Sequence, residues 1–320
     1  MITLPNKDRL IQDLEYRVVD IIKEYQETGE VIISTNYEGI CLDHCNFYSL
    51  LDYICEKFNI NKSKVTIETC NRLEKHDQYK IITQNRFYFA STKESIPNDY
   101  IPSKEKLLKH IGCFVGKLNW NRAIILSWLA KNYADQCLLT CHYKDEDAHK
   151  LESELTELNF FNSSELSNVV EFLKYCPIEI DESFEEFTIL QPKNLTIIKQ
   201  YKNIFLDLVA ETYIMGNTFY VTEKTLRPII AKTPFIILGP KNYLANLKQL
   251  GYKTFSKWWD ESYDHHEGVQ RIEEIKKILQ KILAMSTLEL QLLLTDMNNI
   301  LNYNYDHYMD HYVEHTDGSE

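Results

Sequence analysis

Short runs rich in β-branched and aromatic residues recur along this 320-residue chain: EVIIS (30–34), SKVTIET (63–69), HIGCFVGKL (110–118), CLLTCHY (137–143), NIFLDLVAET (203–212) and PFIILG (234–239). Several are continuously apolar rather than alternating. A strand with that pattern must be covered on both faces, which is the condition of a parallel sheet. Stretches with helical periodicity lie between most of them, including 7–27, 47–60, 121–134, 223–232 and 242–251. Alternating strand and helix predicts an α/β fold built from β-α-β units. Thr28-Gly29 ends the first helix, and KIITQ (80–84), RFYFAS (86–91) and YKTF (252–255) read as further strands.

At 320 residues the chain exceeds what one hydrophobic core of about 250–300 residues comfortably serves, so two domains are expected. Residues 95–103, with Pro97 and Pro102, break the pattern and place the boundary near 105. The expected organisation is an N-terminal α/β domain over 1–105 and a second over 106–265, with C-terminal helices and a polar tail over 266–320. The acidic, less regular stretch of about 144–200 reads as a helical insertion in the second domain, its charge run a solvated face.

Composition narrows the function classes. Hydrophobic residues at 44% and charged residues at 26% are ordinary for a globular protein. No run approaches the roughly 18–20 apolar residues of a membrane span, and the charged N-terminus is unlike a signal peptide, so a cytoplasmic location is expected, a host cytoplasm if the protein is viral. A net charge of −12 opposes nucleic acid as a partner, although a local basic groove remains compatible with it. The eight cysteines are expected to be reduced, buried, small hydrophobes. Cys41, His44 and Cys45, or Cys137, Cys141 and His142, lack the second close-set pair of a structural zinc site, so no metal is assigned.

The densest polar pattern lies in TFYVTEKTLRPIIAKTPFIILG (218–239). There Tyr220, Thr222, Glu223, Lys224 and Arg227 stand at a helix start that leads into an apolar strand. A helix N-terminus with added cations attracts phosphate; the same residues are also an ordinary N-cap with an acidic first turn.

The segment resembles the signature of the α-1,3-fucosyltransferases, in which an aromatic residue precedes T-E-K, an Arg follows three residues after the Lys, and an apolar strand ends in Leu-Gly-Pro. FLDLVAET (205–212) resembles the family's approach to Glu-Asn-Ser, putting Glu211 on its glutamate while Thr212 and Tyr213 depart. CFVGKLNWNRAIILSWL (113–129) puts Arg122 on the phosphate-binding arginine. The likeness covers roughly 110–135 and 203–245.

The resemblance implies two facing Rossmann-like domains of the GT-B type, and transfer of a fucosyl or other hexosyl group from a nucleotide sugar, GDP-linked in that family, with inversion and without a metal or other cofactor. Arg122 and Lys224 would then neutralise the diphosphate, Tyr220 and Glu223 would hold ribose and base, and Glu211 would line the pocket. The partners are a nucleotide sugar and a glycan or other hydroxyl acceptor. The alternatives are a viral-type transferase acting on modified DNA bases and a non-catalytic binding protein of the same fold.

Transfer also needs a general base for the acceptor hydroxyl. The loop after EVIIS offers Glu38 and Asp43, with His44 beside them; Glu68 and Glu74 are weaker candidates. In TFSKWWDESYDHH (254–266), Trp259, Asp260 and Tyr263 could contact a sugar, since rings suit its apolar face and carboxylates its hydroxyls. The same loop reads equally as an aromatic plug at a sheet edge, with its acids capping the next segment.

Overall fold

Among the described residues all pairings between strands are parallel, and the strands form two separate four-stranded sheets. The computed structural model describes residues 1–4, 9–35, 39–83, 107–143, 151, 155, 161–179, 197 and 200–316. The chain divides into two units: Met1–Phe87 with Met215–Thr222 and Val313–Glu320, and Tyr88–Ile214 with Glu223–Tyr312. The expected strand at 86–91 and linker at 95–103 lie outside the described residues, as does most of 144–200.

Unit 1 contains β1 (Ile2–Thr3), α1 (Leu10–Tyr16), α2 (Val18–Thr28), β2 (Val31–Thr35), α3 (Phe47–Lys57), β3 (Val65–Thr69) and β4 (Lys80–Thr83), with sheet order β1-β2-β3-β4. Ile33, Ile67 and Ile81 lie in register across three strands. The helical stretch 7–27, expected to be one helix, is two, meeting at Arg17. Arg17 N donates to both Asp13 O and Leu14 O, a tightened last turn, and the β-branched pair Val18-Val19 follows at once. Gly29 closes α2 with φ 75°, a left-handed cap for which a side chain would cost about 1 kcal/mol or more. Helix α3 buries Phe47, Tyr48, Leu51, Ile54 and Cys55, one stripe at helical spacing. Full burial of each large apolar side chain in it contributes about 1.5–3 kcal/mol.

Unit 2 contains β5 (Lys109–Val115), α4 (Trp120–Tyr133), β6 (Cys137–Cys141), α5 (Ser163–Leu173), β7 (Ile204–Ala210), α6 (Glu223–Ile230), β8 (Phe235–Leu238), α7 (Tyr243–Gln249), α8 (Gly268–Leu283) and all but the last four residues of α9 (Thr287–Thr316). Every residue of β7 and β8 is buried, as strands covered on both faces require. Helix α8 packs on α4, β5 and β8. The sheet order is β6-β5-β7-β8. The chain winds outward from β5 to β6, then crosses back past β5 to β7. The winding direction therefore reverses between β5 and β7, and the carboxyl ends of those two strands flank a topological switch point.

YKTF, expected as the last strand, is not one. The side-chain amide of Asn304 on α9 supplies the bonds a neighbouring strand would have made: Lys253 N donates to Asn304 Oδ1 at 2.8 Å and Asn304 Nδ2 donates to Lys253 O at 2.8 Å. Phe255 N is bound by Glu261 Oε1 at 2.7 Å. With its backbone polar groups satisfied in this way, the segment has no need of a sheet edge. Strand β1 went unread because two residues are too short for any periodicity.

Candidate active site

At the switch point the start of α4 is tied to the end of β7. Asn119 caps α4, its Oδ1 accepting from Arg122 N at 3.3 Å, and its Nδ2 donates to Thr212 O at 2.9 Å. Arg122, 4% exposed, donates from Nε and Nη2 to Ala210 O (3.2 and 2.9 Å), from Nη1 to Lys117 O (2.7 Å) and from Nη2 to Thr212 Oγ1 (3.3 Å). A planar fork with five donors can bind two loop carbonyls and a hydroxyl at once; an ammonium could not. The guanidinium is thus engaged with backbone, holding the loop after β5 against the end of β7.

Glu211 follows β7 directly. Its backbone N donates to Leu238 O at 2.9 Å, and its buried carboxylate accepts from Thr225 Oγ1 at 2.8 Å and Tyr243 Oη at 3.3 Å. Thr225 Oγ1 and Tyr243 Oη are 2.9 Å apart, closing a triangle that joins β7, α6 and α7. Burial, then the Glu211 carboxylate, hold the Tyr243 phenol far above its ordinary value, so it stays a neutral donor. Gly239 leaves room for this triangle: a Cβ there would stand 3.2 Å from Tyr243 Cδ2 and 3.5 Å from Glu211 Cγ.

On α6, Glu223 and Lys224 form an ion pair at 2.8 Å, the lysine side chain 12% exposed. Arg227 is buried, its Nε without a hydrogen-bond partner, and its charge acts on Tyr201 and on Cys113 of β5. Both of those groups also feel Asp207 of β7, whose carboxylate accepts a short hydrogen bond from Tyr201. The expected donor set is divided between the units: Arg122, Glu211, Glu223, Lys224 and Arg227 lie in unit 2, whereas Tyr220 and Thr222 belong to the excursion Met215–Thr222 and are grouped with unit 1.

That excursion is held by Asn71. Its Nδ2 donates to Asn217 O at 3.0 Å, its Oδ1 accepts from Phe219 N at 3.0 Å, and Arg72 N donates to Phe219 O at 3.1 Å. Thr218 Oγ1 donates to Gly39 O. Beside it, unit 1 has a cavity of about 600 Å³ whose lining includes Asp43, His44, Tyr48, Glu74, His76 and Asn217. Glu74 is 7% exposed and accepts from Tyr48 Oη (2.8 Å), Asn71 Nδ2 (2.8 Å) and Leu42 N (3.4 Å). Burial raises its carboxyl above the ordinary value despite those donors. His76 lies 4.3 Å from the Tyr48 ring.

Asp43 and His44 stand exposed at this cavity. Glu38 lies outside the described residues, and Glu68 is a half-buried residue of β3. Glu74 was ranked low from sequence. It follows the C-terminal end of a parallel strand, the same position that favoured Glu38, and that rule applied to β3 reaches Asn71 and Glu74.

The segment 254–266 is built as a plug. Tyr263 is 1% exposed, its hydroxyl accepting from Ile237 N at 3.4 Å, and the Trp259 ring lies 5.2 Å from Phe255. Asp260 is exposed and accepts from Ser262 N and Oγ at 2.9 and 3.0 Å. Asp264 caps α7 through Leu244 N and Ala245 N and pairs with fully buried Arg271 at 3.0 Å. Among the described residues no group of three His, Cys, Asp or Glu side chains could hold a metal ion, and no single helix is long and apolar enough to cross a membrane.

Fold and side-chain geometry together define an α/β protein of two all-parallel sheets, with tied polar residues at its strand carboxyl ends. No family model matches the chain, and neither a curated protein nor a solved structure matches it.

Proposed function

We propose that the protein is a glycosyltransferase of the GT-B class that moves a sugar from a nucleotide diphosphate, a GDP-sugar in first place, to an acceptor hydroxyl with inversion. The observation that carries this reading is the switch point between β5 and β7, where an Asn-capped helix start is tied to Thr212, the residue after the strand-end Glu211. Open parallel sheets bind nucleotides at that position, with helix N–H groups toward the phosphates.

Lys224, ion-paired to Glu223, supplies a cation for the diphosphate. Arg122 keeps the loop after β5 in place, and the Glu211 triangle holds α6, which carries Lys224. As the acceptor oxygen attacks the anomeric carbon, the bond to the diphosphate oxygen breaks and its negative charge grows. A cation already aimed at that oxygen is worth more in the transition state than in the ground state. The reaction also needs a general base for the acceptor proton, the role proposed for Glu38 or Asp43.

Thermal shift against GDP, UDP, ADP, CMP and their sugars tests the donor half. A nucleotide diphosphate raises the midpoint in the wild type and not in Lys224→Ala. Absence of a shift with every nucleotide would sink the proposal.

A further inference from the structure

Glu74 of unit 1 is a buried carboxylate without a counter-ion. It is 7% exposed, and its three partners, Tyr48 Oη, Asn71 Nδ2 and Leu42 N, are neutral donors. Among the described residues no Lys, Arg or His nitrogen forms an ion pair with it, and Asp43, whose charge also acts on it, has the same sign. Leaving water is costly for a charge, so buried carboxylates are ordinarily paired with a cation. Beside Glu74 there is space: it lines the cavity of about 600 Å³. Three carboxylates, Glu74, Asp43 and Asp77, face that cavity against the single ammonium of Lys75, with the imidazoles of His44 and His76.

We propose that the unit 1 cavity binds an organic cation, a polar amine of about monosaccharide size, with its ammonium beside Glu74 Oε1.

Each carboxylate oxygen has two lone pairs, and Oε1 accepts from Tyr48 alone, so one acceptor position is open there. An ammonium fills it and supplies the missing charge together. The three donors already on Glu74 hold the carboxylate in one orientation, so the ligand does not have to order it. The volume lies within the roughly 300–1,000 Å³ of small-molecule sites and is far too large for a bare ion. Nor could three His, Cys, Asp or Glu side chains among the described residues hold a metal ion, so an organic body must fill the space. The His76 ring, 4.3 Å from that of Tyr48, gives the wall an aromatic part for a carbon skeleton, and the Gln78 and Asn217 amides suit hydroxyl groups.

The whole lining belongs to unit 1, because Gly216 and Asn217, its share of the excursion, are grouped there. A bound amine would therefore add to the hold that Asn71 has on that excursion. The site is assigned on charge and shape, and stands whatever unit 2 binds and whether or not Asp43 serves as a base.

The test titrates the full-length chain with D-glucosamine and, as its neutral counterpart, D-glucose, at about pH 6, where the amine is protonated. Calorimetry should show glucosamine binding at least about tenfold more tightly than glucose. Glu74→Gln, which keeps an acceptor and removes the charge, should reduce that preference by a similar factor. In the wild type, glucosamine should slow hydrogen exchange at residues 41–48, 73–78 and 216–217, a measurement that stands even if the variant folds poorly. No binding of glucosamine, equal affinity for the two sugars, or protection confined to unit 2 would overturn the proposal. So would a Glu74→Gln protein that melts like the wild type and keeps the preference.

Discussion

Asn119 reaches across the switch point of unit 2 and donates from Nδ2 to Thr212 O at 2.9 Å, so one side chain both caps α4 and fixes the residue beyond the end of β7. Arg122, three residues on, repeats the link with three further partners. The loops at the sheet's carboxyl edge are thereby held by side chains of a single helix turn.

Removing the fork should therefore be costly. Arg122→Ala leaves carbonyls of Lys117 and Ala210 short of donors in a buried site, at about 1–3 kcal/mol for each such group. A fall in urea midpoint corresponding to roughly 2–4 kcal/mol is expected, with Arg122→Lys recovering little, because an ammonium cannot span the same partners. A change under about 0.5 kcal/mol, the usual range for a surface substitution, would contradict the clamp.

The triangle of Glu211, Thr225 and Tyr243 should behave as one unit. In a double-mutant cycle, Thr225→Val and Tyr243→Phe are expected to be non-additive by about 0.5–3 kcal/mol. Additive effects would show that the two hydroxyls act independently.

Glu74 sets a pH dependence whose sign follows from its environment. Its folded-state carboxyl lies above the ordinary 4.5 through burial, so the native state holds its proton more tightly than the unfolded state does. The stability it contributes is complete below about 4.5 and is lost as pH rises through the folded value. Glu74→Gln should remove that part of the pH slope. Stability curves measured from pH 4 to 8 that stay parallel for the two proteins would refute this.

Asn304 stands in for a strand. Asn304→Ala is expected to cost about 2–4 kcal/mol, since it strands the Lys253 N–H and C=O together. Hydrogen exchange at the Lys253 amide should accelerate while amides of β7 remain protected; unchanged protection at Lys253 would argue against the role.

β7 was legible from residues 203–212, because a strand buried on both faces leaves a nearly continuous apolar run, and β3 from 63–69, where buried Val65, Ile67 and Thr69 alternate with half-buried Thr66 and Glu68. YKTF carries the same local signal and is no strand, since its partner is an amide 51 positions away that no window can see. The site was legible in its parts and not in its grouping. Arg122 and Glu211 could be picked out, yet that their polar atoms engage backbone and neighbouring hydroxyls depends on packing. Asn71 carries no local signal of its role, because it acts on residue 217, 146 positions later. Nor could the pattern TEKTLR disclose that the chain changes unit between Thr222 and Glu223.

That change of unit orders events on the ribosome. Unit 1 draws on the first 87 residues and on Met215–Thr222, so a chain emerging N-terminus first cannot pair Asn71 with Phe219 until residue 219 has been made. Until then Asn71 waits without its partner strand of backbone, and no cut at a single point can release unit 1 whole. Forms cut between residues 87 and 215 are expected to leave unit 1 without the backbone that Asn71 binds.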